Sequence, residues 1–178
     1  MRWIIALLFL LPATAKANDW NALTQPRAIA VMRHALAPGT GDPPDFRMDD
    51  CSTQRNLDAR GRDQARAIGA AFRDRGITFD VVLTSQWCRT RETAELLGLG
   101  EVVEAPELNS FFRKFERRES QTRDTLEMLS RIEGSAMLVS HQVNISALTG
   151  QGTRAGEVLV IMIADGAVEV LGRILLEP

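Results

Sequence analysis

Three short apolar runs, each broken off by polar residues, constrain this chain more than any other feature. They are "AIAVM" at 28–32, "FDVVLTS" at 79–85 and "AMLVS" at 136–140. Short apolar runs bounded by turn and charged residues read as strands buried on both faces. Helical periodicity fills the gaps between them. "LDARGRDQARAIGAAFRDRG" at 57–76 sets Leu57, Ala65, Ile68 and Phe72 near one face, with Asp58 as N-cap and Gly76 past the end. "CRTRETAELLG" at 88–98 turns Ala94 and Leu97 inward and stops at Gly98. Leu126, Leu129 and Ile132 keep helical spacing before the third run, and "VNISALTG" makes a short helix after it. "VVE" at 102–104 predicts a brief strand. "EVLVIMIA" and "VEVLGRIL" flank "DGA" and predict a closing hairpin. The pattern predicts the α/β class: a three-layer α/β/α sandwich with a mostly parallel central sheet and a C-terminal antiparallel hairpin.

The first residues stand apart from that pattern. Arg2 precedes the apolar stretch "WIIALLFLL", and Ala15 and Ala17 form an A-x-A site. This predicts a secretory signal peptide over 1–17, cleaved before Asn18, and one domain over 18–178 in the periplasm or outside the cell. The apolar stretch is well short of the ~20 residues that a spanning helix needs. Cleavage removes Arg2 and Lys16, leaving 19 basic against 23 acidic residues, a net charge of −4. That balance gives no general attraction to nucleic acid or to an anionic membrane. No second apolar run follows to hold the mature chain in a bilayer. Cys51 and Cys88 both fall in the exported part, and an even count in an oxidising compartment favours one disulfide. Two separate buried thiols are the alternative.

Ligands of parallel α/β sheets bind at the carboxyl ends of the strands. The three apolar runs lead into "RH", "SQWCR" and "SH", and the chain has only two histidines. Singly, a strand-end arginine is most often a surface charge and a histidine a loop cap. Jointly, Arg33, His34, Arg89 and His141 should meet at one rim. Guanidinium forks suit the oxygens of a phosphoryl group. A neutral imidazole can attack phosphorus while arginines neutralise charge on the equatorial oxygens. Arg89 also begins a helix, whose N-terminus favours anions. A metal site built from His34, His141 and a cysteine is disfavoured, because the arginines would repel a cation and no ligand-spaced motif is present. No cofactor is expected.

"VMRHALAPG" resembles the strand-end Arg-His-Gly signature of the histidine phosphatase (phosphoglycerate mutase-like) superfamily. "LTSQWCRTRETAELL" is similar to its Ser-x-x-x-Arg-x-x-x-Thr-Ala segment, through Ser85, Arg89, Thr93 and Ala94. "NLDARGRDQARAIG" matches its Leu-Thr-x-x-Gly-x-x-Gln-Ala helix through Leu57, Gly61, Gln64 and Ala65, and "LVSHQVNISALTG" resembles its late strand and histidine. The matches run in family order from 29 to about 150. The resemblance implies a small exported phosphatase in which His34 is transiently phosphorylated. Arg33 and Arg89 would hold the phosphoryl oxygens, and His141 would complete the pocket with Gln142 beside it. Water would release the phosphate with no metal. A phosphomutase or a non-catalytic phospholigand-binding domain are the alternatives. Partners would be a small phosphorylated substrate or a phosphorylated macromolecule.

Two positions depart from the family pattern. Ala35 stands where the signature has glycine, and Ser110 where many members carry a glutamate proton donor. Glu107, Asp42 and Asp45 are the candidate general acids, with Asp49 and Asp50 in the same loop as the last two. A bridge between Cys51 and Cys88 would pin that loop beside Arg89. The segment "NSFFRKFERRESQTR" reads as a solvated charge run whose phenylalanines enter the core. Its alternative role is to cover the pocket and recruit a second acidic group.

Overall fold

The computed structural model describes residues 18–164 and 166–176, so the expected signal peptide lies outside the described residues. In chain order the elements are β1 (Ile29–Arg33), α1 (Ala59–Arg73), β2 (Val81–Thr84), α2 (Cys88–Leu97) and β3 (Val102–Glu104). There follow α3 (Arg118–Ser130), β4 (Ala136–Ser140), α4 (Gln142–Thr149), β5 (Val158–Ala164) and β6 (Ala167–Ile174). The sheet runs β3-β2-β4-β1-β5-β6. Its first four strands pair in parallel, and β5 and β6 return antiparallel as the predicted hairpin.

Alternation along β1 builds the two outer layers. Ala30 and Met32 pack on one face with Ile68 and Phe72 of α1 and with Ala94 and Leu97 of α2. Ile29 and Val31 pack on the other face with Leu129 of α3 and Ile145 of α4. Successive strand side chains point to opposite faces, so a run that is apolar throughout must be covered twice. β4, between β2 and β1, is buried at every residue.

Local signals set the helix ends. The Asp58 side chain accepts from the Gly61 N–H to cap α1, and Gly98 ends α2 in the left-handed region at φ 60°. Gly76, at φ 66°, lies three residues past the last residue of α1 and closes its final turn. α1 and α2 touch where a Cβ on Gly69 would sit 1.9 Å from the Leu97 carbonyl oxygen, a contact only glycine permits.

α3 differs from its expected packing. Leu129 is buried, but Leu126 and Ile132 are only half-buried, and Gln121 and Thr125 take inner positions. Both bond the Glu107 carbonyl, and Gln121 also bonds that of Asn109. α3 therefore meets the irregular chain after β3 through polar side chains. The core placement expected for the phenylalanines of that segment is corrected too. Phe111 is buried, whereas Phe112 and Phe115 are 44% and 59% exposed. Two isolated 3-10 turns, Pro106–Leu108 and Phe115–Arg117, carry no period that could turn all three rings to one side. Among the described residues, no helix is long and apolar enough to cross a membrane.

Candidate active site

Strand register brings the site together. Arg33 is level with Ser140 and Thr84 with Val139, so His34, Ser85 and His141 leave the sheet side by side. The ladder continues one step beyond the strands, from His34 N–H to Ser140 O at 3.0 Å and from Ser85 N–H to Val139 O at 3.1 Å. A cavity of about 240 Å³ opens at this edge, with Arg33, His34, Asp42, Arg55, Arg89 and His141 in its walls.

Residues from neighbouring helices hold the loop after His34. The Ala35 N–H donates to Thr93 Oγ1 at 3.1 Å, and the Leu36 N–H to Gln64 Oε1 at 2.9 Å. A Cβ on Gly61 would lie 2.0 Å from the Leu36 carbonyl oxygen, so this loop rests directly on the α1 backbone. Ala35 is fully buried beside Leu57 and Ala65. Among the described residues Arg27 alone combines a side chain with positive φ, so the Ala35 methyl sits in ordinary backbone.

The two imidazoles are buried and differently bonded. His34 Nδ1 lies 2.7 Å from the Ala35 carbonyl oxygen, which only accepts, so Nδ1 carries the proton and Nε2 the lone pair. Burial, with the charges of Arg89, Arg55 and Arg33, lowers the His34 pKa to about 3, against a smaller upward pull from the Ala35 bond. The ring is therefore neutral at pH 7. Arg89 Nη2 donates toward His141 Nδ1 at 3.4 Å, which leaves the proton on Nε2, 2.7 Å from Ser85 Oγ. Burial, then Arg89, holds the His141 pKa well below the ordinary value. The two rings meet edge to face, with centroids 5.6 Å apart.

Arg89 is 3% exposed, and its fork grips the Asp42 carboxylate, with Nη1 to Oδ1 at 2.6 Å and Nη2 to Oδ2 at 3.2 Å. Trp87 Nε1–H and the Arg55 N–H also donate to that carboxylate, at 3.1 and 3.2 Å. Burial pushes the Asp42 carboxyl up, but the Arg89 bonds and charge, with the Trp87 and Arg55 donors, outweigh it and hold the pKa below the usual value. Arg33 donates from Nη1 to the Thr153 carbonyl at 3.1 Å. The buried Nε atoms of Arg33 and Arg89 have no hydrogen-bond partner among the described residues. Arg33, Arg55 and Arg89 against Asp42 leave two net positive charges beside two neutral rings. That charge matches a phosphoryl dianion.

Arg33, His34, Arg89, His141 and Gln142 all line this cavity, as does Asp42. Gln142 is engaged elsewhere: its Oε1 accepts from the Thr153 N–H and Oγ1, and its Nε2 donates to Ser146 Oγ. It thereby steadies the carbonyl that orients Arg33. Glu107 faces a separate cavity beside α3, and Asp45 is exposed. Cys51 and Cys88 are bridged, with Cα atoms 5.7 Å apart, so the loop carrying Asp42 is tied to the first residue of α2. Arg55 went unnoticed in the sequence because it belongs to none of the matched motifs. It stands two residues before Leu57, where the loop returns to α1. Burial and the Arg89 charge lower its pKa to about 10, with Asp42 opposing and Arg33 reinforcing the shift, and its Nε donates to the Gly41 carbonyl at 2.8 Å.

Arginines and neutral histidines at the carboxyl ends of parallel strands define the class as an α/β/α domain with a histidine-lined anion pocket. More specifically, the chain belongs to the histidine phosphatase superfamily (branch 1), whose family model matches residues 29–122. It is similar in fold to the protein histidine phosphatase SixA complexed with tungstate. That likeness covers 82% of this chain and 95% of that one, with 16% identity and a TM-score of 0.59. It is similar also to phosphoserine phosphatase from Entamoeba histolytica in complex with 3-phosphoglyceric acid, at 12% identity and a TM-score of 0.60. There the shares covered are again 82% and 95%. No curated protein matches the chain in sequence.

Proposed function

We propose that this chain is an exported, metal-independent phosphatase that hydrolyses a phosphomonoester or phosphoramidate through a phosphohistidine on His34. The observation that carries the proposal is the His34 ring. It is neutral and locked by its Nδ1–H on the Ala35 carbonyl, and it lines a cavity with three guanidiniums. In the first step the Nε2 lone pair bonds to phosphorus as the bond from phosphorus to the leaving group breaks. The arginines take the charge of the equatorial oxygens, a task for which a metal ion is otherwise used. Of the three carboxyls named from sequence, Asp42 alone lines the cavity, and it is the proposed proton donor to the leaving group. In the second step water attacks phosphorus, Asp42 takes its proton, and the bond to Nε2 breaks to release phosphate.

The test is phosphate release from p-nitrophenyl phosphate and from phosphohistidine, with EDTA present, by wild type and His34→Ala. Wild type should turn over and His34→Ala should fall by more than about 10³-fold, the scale of loss on removing a covalent nucleophile. Activity that persists in His34→Ala overturns the nucleophile. No turnover with phosphate still bound favours a binding domain.

A further inference from the structure

A second cavity of about 500 Å³ adjoins the catalytic one, and Asp42, Ser110 and Phe112 line both. Part of its lining is aromatic, with Phe46, Trp87 and Phe112. Trp87 stacks on Phe46 with centroids 5.1 Å apart, and it meets the His141 ring at a steep angle with centroids 5.2 Å apart. Phe112, 44% exposed, stands at the boundary between the two spaces. Its lining also holds three cations, Arg113, Lys114 and Arg117. Asp42 is the one acid in the lining, and Arg89 already holds it. A cavity lined by flat apolar rings and by three cations suits a flat apolar group that ends in an anion.

We infer that this second cavity is the leaving-group subsite, and that it takes phosphomonoesters whose leaving group has a flat aromatic body and a second anionic group. The inference rests on the phosphatase reading above. The phosphoryl group would sit among the arginines, the aromatic body against Phe112 and Trp87, and the second anion among the exposed cations. The segment that carries Phe112 is itself tied to the pocket, since the Arg113 side chain donates to the Asp42 carbonyl. A substrate lying across both cavities would therefore contact the loop that bears the proposed acid.

Equilibrium binding of non-hydrolysable phosphonates tests this independently of turnover. In wild type, 4-carboxyphenylphosphonate should bind about five- to tenfold tighter than phenylphosphonate, the scale of one anion meeting two partly solvated cations. The advantage should fall below about twofold in Lys114→Glu/Arg117→Glu and shrink as salt is raised. Phe112→Ala should weaken phenylphosphonate relative to methylphosphonate by about fivefold, as loss of an aromatic contact does. Equal affinity of the two aryl phosphonates in wild type overturns the inference, as does an advantage untouched by charge reversal. If aryl phosphonates bind as expected but no phosphate ester is hydrolysed, the subsite stands and the phosphatase reading fails.

Discussion

The Asp42 carboxylate lies across the Arg89 guanidinium, the same fork that a phosphoryl group would use. An entering dianion must displace it from Arg89 or share the fork with it. Either change removes part of what holds the Asp42 pKa down and puts a negative charge beside it, so substrate binding itself should drive protonation of Asp42. In the proposed mechanism, the carboxyl that competes with the substrate in the free protein would become the acid in the complex. Asp42→Asn separates the two roles. Orthovanadate should bind about three- to tenfold tighter, because a competing charge is gone. Turnover of an alkyl phosphate, whose leaving oxygen needs a proton, should fall about 10²-fold. Turnover of p-nitrophenyl phosphate, whose leaving group does not, should fall far less. Equal losses on both substrates would show that Asp42 does not donate the proton.

At the scale of elements, the strand ends, helix caps and closing hairpin were legible because each is written in contiguous residues. Asp58 before α1 and Gly98 after α2 are examples, and the signature around His34 is of the same kind. Asp42 could not be singled out from Asp45, Asp49 and Asp50, since only tertiary closure of the loop selects one of them. Arg55 was invisible for the same reason, since it reaches the site by a fold of irregular chain and not by a period. The segment around Phe112 was noticed only as a whole, with covering the pocket as its alternative role. The Cys51–Cys88 bridge is what ties this irregular loop to a regular element, joined by the bond from Cys88 N–H to Gln54 Oε1 at 2.9 Å. Protein recovered from the periplasm should begin at Asn18 and resist alkylation at both cysteines until reduced. Cys51→Ser/Cys88→Ser should lose about 2–4 kcal/mol of stability, as expected for opening a loop of this length. Its hydrogen exchange should quicken across 39–55 while β1 and β4 stay protected. Ready alkylation of both thiols without reduction would refute the bridge, and unchanged exchange would refute its role in holding the loop.

The site also bears on the stability of the whole molecule, because it lies at the carboxyl ends of the central strands and its two imidazoles are buried uncharged. Unfolded, each histidine titrates near 6.5; folded, His34 titrates at about 3 and His141 is lowered as well. Between the folded and unfolded pKa values, from about 3 to 6.5 for His34, the unfolded chain therefore binds more protons than the folded one. A depressed folded pKa means stability that is present above the unfolded pKa and is lost as pH falls. Between pH 6.5 and about 4.5 the histidines are the groups responsible, since Asp42 begins to contribute only near its unfolded value of 3.8. Each group can add a slope of up to ~1.4 kcal/mol per pH unit. Urea unfolding in phosphate-free buffer should thus show stability falling steeply from pH 6.5 to 4.5, with a slope approaching two protons. His34→Asn should flatten that slope by about one proton, whatever it does to stability at pH 7. Added phosphate should raise stability across the range, as expected of an anion that would bind only the folded arginine pocket. A wild-type slope near zero, or a slope unaltered in His34→Asn, would show that the pocket does not hold its histidines neutral and would remove the basis for His34 as a nucleophile.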